Sequence, residues 1–456
     1  MNKFLFTFSL FFFTLNINAQ LNPAITSWLQ NTSETGSYYM AGNSTAIDNG
    51  ILYNCQKVEY SADYVYVTTN GIPAYPTGPF LDGNPSQATS QDAIFQIPLN
   101  PVENTGNPIS TTGGNIGIFI NGVALFDYRD GVAWNPNTNA LCGGPGNPPC
   151  PGGPLTQQAW NRDAVPAEMD GFDCSKAHPA MGNYHHHQNP SAFKLDLEVV
   201  SDICNLYDAD GLYAIDETQH SPLIGFAYDG FPIYGAYGYK NADGTGGITR
   251  IKSGYQLREI TQRTTHADGT DVADGPDVNA TYFLGYFRED YEWIEHAGQG
   301  DYLDEHNGRF CVTPEYPNGI YAYFATVDEN WNSAYPYVVG PTFYGISQNR
   351  KVNSINEETT VYNGTTAISA LDFDQLDITI FPNPVADLLA VQVNDLAAED
   401  FQVELFDLSG RLIKASRINK GSTITYIDTQ TIYEGTYVVK VSSGKYSFSD
   451  KVIIAK

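Results

Sequence analysis

Beyond its first nineteen residues the chain has no long apolar run. Nothing there approaches the roughly 18 unbroken apolar residues that a membrane helix needs, which excludes such a helix from the rest of the sequence. Positive charge is scarce as well, with 23 Lys and Arg against 51 Asp and Glu and a formal net charge of -28. The deficit is uneven: residues 21–374 carry 14 basic against 41 acidic residues, and residues 375–456 carry 8 against 10. An acidic surface repels phosphate backbones and anionic lipid, so nucleic acid is excluded as a partner and cations are favoured. Long amphipathic helical patterns are missing. So is any Gly-x-Ser-x-Gly elbow, which removes a principal signature of nucleophilic hydrolysis. Histidine is also rare, but all eight fall between His178 and His306.

The two ends are distinct. Residues 1–19 carry one charge, Lys3, then an apolar run from Phe4 to Leu15 and a small residue at Ala19, the pattern of a Sec-type signal peptide. Export places the six cysteines in an oxidising compartment. Of the fifteen pairings possible for Cys55, Cys142, Cys150, Cys174, Cys204 and Cys311, the sequence singles out Cys142 with Cys150, which closes a Gly/Pro loop that has no other means of staying ordered.

Short β-rich runs recur between Gly, Pro and Asn clusters: Tyr64 to Thr69, Gly117 to Phe126 and Leu195 to Val200. The expected fold is all-β, with long loops. Gly117 to Phe126 aligns with Gly225 to Tyr234, each a strand, an Asx-Gly turn (Asn121-Gly122, Asp229-Gly230) and a strand. A second echo follows each hairpin: Gly171-x-x-Cys174-x7-Gly182-x-Tyr184 and Gly308-x-x-Cys311-x7-Gly319-x-Tyr321. The central domain, residues 20–345, therefore reads as internally duplicated, with halves near 60–190 and 200–345. Residues 346–374 turn polar and read as a linker. Residues 375–456 read as a small Ig-like β-sandwich, alternating as in Val403 to Asp407.

The chemistry concentrates in Tyr184-His185-His186-His187. In an extended chain His185 and His187 share one side and Tyr184 and His186 the other. With His178 close by, three imidazoles make a candidate copper or zinc site, with Asp173, Asp170 and Tyr184 as possible supporting partners. In the second repeat the corresponding residues are Ala322 and Phe324, so the fold itself does not demand histidine there. Spaced carboxylates at Asp208 and Asp210, and at Asp268, Asp271, Asp274 and Asp277, are candidate calcium ligands, although neither set matches an EF-hand loop.

Two resemblances rest on these residues. Phe381-Pro-Asn-Pro384, Leu405 to Leu412 and Gly435 to Val441 resemble the type A C-terminal sorting domain of type IX secretion. That resemblance implies handling by the secretion machinery, removal of the domain, and release or anchoring at the cell surface. Asn70 to Pro73, Gly122, Asp173-Cys174, His178-Pro179, Gly182-x-Tyr184-His185-x-His187, Asp229 to Gly235 and Thr313 to Tyr323 resemble the YHYH domain family, with His186 in place of the second tyrosine of its name motif.

Three roles compete on the sequence. The first is a metal-binding module, extending to metal-dependent hydrolysis or copper redox chemistry. The second is a non-catalytic adhesion or carbohydrate-binding protein presenting Trp134, Trp160, Trp293 and Trp331. The third is a purely structural polar cluster of His178, His185, His187 and Asp173.

Overall fold

The computed structural model describes residues 21–81, 87–153, 157–195, 204, 209–362, 378–393, 400–407, 411–420, 422–443 and 447–456. The signal segment, Asp208 and residues 196–200 of the expected strand lie outside these. Leu195 ends a 3-10 turn, Phe193–Leu195, rather than opening a strand.

The described chain is all-β, its longest described helix being the five residues Ala164–Glu168. It divides into two compact units, Met1–Gly364 and Thr365–Lys456. The first is built on an eight-stranded sheet. Its strands in chain order are β1 (Asn115–Phe119), β2 (Ala124–Phe126), β3 (Ala177–Ala180), β4 (Asn183–His186), β5 (Leu223–Ala227), β6 (Pro232–Tyr234), β7 (Gly308–Cys311) and β8 (Ile320–Phe324). In space they run β3-β4-β2-β1-β5-β6-β8-β7.

The order reads alike from either margin. Outward from the antiparallel β1·β5 pair, each half has a hairpin, then a parallel step (β2 to β4, β6 to β8), then an antiparallel edge strand. β5 is buried at every position. That follows from a continuous Leu-Ile-Gly-Phe-Ala run covered on both faces.

Both hairpins turn on the Asx-Gly pairs. Gly122 and Gly230 take φ of +77° and +92°, and the Asn121 and Asp229 side chains accept from the amides of Val123 and Phe231. A Cβ at Gly122 would run into the Thr69 side chain and come within 3.2 Å of Cys55 Sγ. Gly122→Ala is therefore expected to lower stability by about 2 kcal/mol or more, from the left-handed backbone and the overlap together, as measured by urea unfolding.

A five-stranded sheet, ordered Lys351–Val352, Ala93–Pro98, Tyr64–Thr69, Cys55–Tyr60, Thr360–Val361, lies in the same unit. Ala93–Pro98 alternates buried and half-buried positions, as a sheet with one covered face requires. The two short strands from residues 351–361 correct the expected linker. That polar stretch pairs with Ala93–Pro98 and Cys55–Tyr60, so it belongs to the first unit. Cys142 and Cys150 are joined, and a second disulfide, Cys174 to Cys204, closes a longer loop. Cys55 and Cys311 are buried thiols.

The second unit has a three-stranded and a four-stranded antiparallel sheet. Leu389, Val391, Val403, Leu405, Val439, Val441, Val452 and Ile454 form one core between them, as in a β-sandwich.

Candidate metal centre

The three imidazoles come from one margin of the eight-stranded sheet. The β3–β4 hairpin turns at Met181 and Gly182, both at positive φ, and its register sets His178 opposite His185. His187 follows directly after β4. Ring centroids lie 4.7 Å apart for His178 and His185, 4.8 Å for His185 and His187, and 5.7 Å for His178 and His187. One nitrogen from each ring lies within 4.8 Å of the others, and among the described residues this is the only group of three or more metal-ligating side chains so disposed.

Hydrogen bonding settles which nitrogens face inward. His185 Nδ1 is 2.8 Å from the Asn183 carbonyl and His187 Nδ1 is 2.6 Å from the Asp127 carbonyl. A carbonyl only accepts, so each Nδ1 carries a proton and each neutral ring keeps its lone pair on Nε2. The two Nε2 atoms then point at each other across 3.1 Å. Neither ring readily takes the extra proton that would turn this contact into a hydrogen bond. Burial, then the neighbouring rings, holds His185 well below the usual imidazole range, and the same causes push His187 down to about 3.

This shift has a measurable sign. Because the folded state holds His187 below its ordinary 6.5, its contribution is fully present above pH 6.5 and is lost as pH falls towards 3. In chelator, the stability of the wild type relative to His187→Phe is expected to fall by up to about 1.4 kcal/mol per pH unit across that window, followed by urea unfolding at each pH.

A carboxylate absent from the sequence reading completes the cluster. Glu168 Oε2 lies 3.4 Å from His178 Nε2 and 3.5 Å from His187 Nε2. It ends the short helix Ala164–Glu168, which is capped by the Asp163 side chain on the Val165 amide. The Glu168 side chain is 25% exposed and that of His178 12%, while the Glu168 Oε2 that faces the rings is itself buried. Phe126 stacks on His185 at 3.8 Å and Phe172 meets His178 edge-on at 5.0 Å, walling off the rest.

The other expected partners sit elsewhere. Asp170 is exposed, in the turn Met169–Gly171. Asp173 is buried and organises backbone. Its Oδ2 accepts from Gly78 N at 2.8 Å and Tyr184 Oη at 2.7 Å, and its Oδ1 from Ser175 N at 2.9 Å and Ala177 N at 3.2 Å. Tyr184 is thereby committed to Asp173. His186 turns to the opposite side, its Nε2 2.8 Å from Tyr75 Oη. Of the acidic runs, Asp210 pairs with Lys194, and Asp268 accepts from the Thr270 amide and hydroxyl. Trp134 and Trp160 are core residues, and Trp293 and Trp331 are half-buried.

The other margin of the sheet handles the corresponding corner differently. Arg309 pairs with Ala322 in register, as His178 does with His185. The Arg309 guanidinium lies 5.3 Å from the Phe324 ring and donates to the carbonyls of Tyr239, Lys240 and Gly300. A cation supplied by the chain itself holds that corner.

Comparison with known families agrees with this architecture. A search of curated proteins returns no match. The model of the secretion system C-terminal sorting domain matches residues 379–455, which marks the protein for type IX secretion to the cell surface or beyond. The model described as YHYH protein matches residues 94–336, more than half of the chain and all eight strands of the central sheet. The chain belongs to the YHYH protein family and ends in a type IX secretion sorting domain.

Proposed function

We propose that this exported protein binds one transition-metal ion, zinc or copper, between the Nε2 atoms of His178, His185 and His187. One observation carries the reading: two buried, neutral imidazoles have their Nε2 lone pairs directed at each other across 3.1 Å. Two acceptors so placed repel unless a cation lies between them. Ligands about 2.0–2.1 Å from a tetrahedral ion stand roughly 3.3 Å apart. Three contacts in the cluster, at 3.1, 3.4 and 3.5 Å, are near that edge length, and a modest inward shift of His178 would bring the triad, whose nitrogens lie within 4.8 Å of one another, onto one ion. Imidazole nitrogen suits zinc and copper better than calcium.

Glu168 stands beside His178 and His187, where it can close the shell as a fourth donor or accept a proton from a metal-bound water. The second role is what a hydrolytic extension of the site requires. Metal analysis of the mature protein, loaded with zinc or copper and desalted, tests the reading. One equivalent retained is the expected result; none retained for either ion ends it.

A further inference from the structure

The loop from Val327 to Tyr337 holds a conformation that its sequence disfavours. Trp331 and Tyr337, both bulky, take φ of +67° and +71°, in the left-handed region that such side chains avoid. Within the same loop Asn332 Oδ1 and Ser333 Oγ are buried without a hydrogen-bond partner. Strain and unsatisfied polar atoms gathered in one segment are a common mark of a ligand site.

This loop walls an open groove of about 490 Å³, within the range of roughly 300–1,000 Å³ usual for small-molecule sites. Its floor is aromatic. Tyr335 and Tyr337 are buried, and the half-buried Tyr291 stacks on Tyr335 at 3.9 Å and 3°, with Tyr255 crossing the same ring at 5.3 Å. The rim is polar and carries charge of both signs: Arg250 and Lys252 with Asp328 and Glu329. Both cations are already engaged, Arg250 with the Val327 carbonyl and Lys252 with Asp301. With Lys252 held by Asp301, Asp328 and Glu329 outweigh Arg250, so the groove does not select an anionic ligand. Aromatic rings beneath a ring of donors and acceptors suit a molecule with apolar C–H faces and a hydroxyl perimeter.

We propose that this groove binds a neutral saccharide, one or two pyranose units seated against Tyr255 and Tyr291, with Gln256 and Glu329 meeting its hydroxyls. The inference is independent of the metal reading, since no histidine of that cluster lines the groove.

Isothermal titration of the mature protein with cellobiose, chitobiose, mannobiose and maltose tests it, with digalacturonic acid as the charged comparator. At least one neutral disaccharide should bind, and Gln256→Ala and Tyr255→Ala should each weaken it by about tenfold or more. Gln256 is an exposed side chain, so its removal leaves folding intact. Binding of none of the four, binding of digalacturonic acid alone, or affinity unchanged in both variants overturns the proposal.

Discussion

Zinc or copper present at a thousandfold excess over its dissociation constant should raise the unfolding free energy of the protein by about 4 kcal/mol. In His187→Phe the same additions should raise it by less than about 1 kcal/mol, because a lost ligand weakens the ion by far more than the 10- to 100-fold typical of supporting residues. Phenylalanine is the residue that the second half carries at the matching position, Phe324. In chelator the variant should stay within about 1 kcal/mol of wild type. It gives up the bond to the Asp127 carbonyl, and it relieves the opposition of two lone pairs at 3.1 Å. A purely structural cluster makes the contrary forecast, a loss of about 2–5 kcal/mol with chelator present and no response to metal in either protein. Chemical denaturation of both proteins, with ion and with chelator, separates the two accounts. A large loss in chelator combined with no metal response would remove the metal site.

Asp173→Ala should cost about 4 kcal/mol or more, the largest effect expected of a single side chain near the site. Its carboxylate is 1% exposed and takes four donors, three of them backbone amides from two separated segments, Gly78 and the Ser175–Ala177 turn. Deleting it leaves all four buried donors without their acceptor, at about 1–3 kcal/mol each before relaxation. Asp173→Asn should recover only part of this, since its amide nitrogen must face donors on one side. Urea unfolding gives the values. A change below about 1 kcal/mol would show that the turn is held by other means. The variant should also lose metal, because this turn leads straight into β3, and β3 carries His178.

The legible part of the architecture was local and periodic. Asn121-Gly122 and Asp229-Gly230 announce two hairpins because only a few residue pairs tolerate that turn, and strand alternation alone separates His185 from His186. The parallel step from β2 to β4 left no such trace. It joins segments some sixty residues apart, and no short-range pattern encodes it. Glu168 was missed for the same reason: nothing about a glutamate ten residues before His178 distinguishes it, and only the packing of a single helical turn brings it to the rings. Asp170 and Asp173 looked better placed by proximity in sequence, and proximity misled, since one faces water and the other holds backbone. The polar stretch after residue 345 read as linker because short edge strands need little apolar character when only one side is paired.

Arg309 bears on how the two margins of the sheet respond to their surroundings. Its positive charge is covalently tethered and beyond the reach of any sequestering agent. Among the described residues, no Arg or Lys takes the corresponding place opposite His185, where His178 stands instead. On the proposed metal reading, amide hydrogens around Met181 should exchange with deuterium sooner in strong chelator than those between Cys311 and Ile320, giving the sheet one labile flank and one permanent flank.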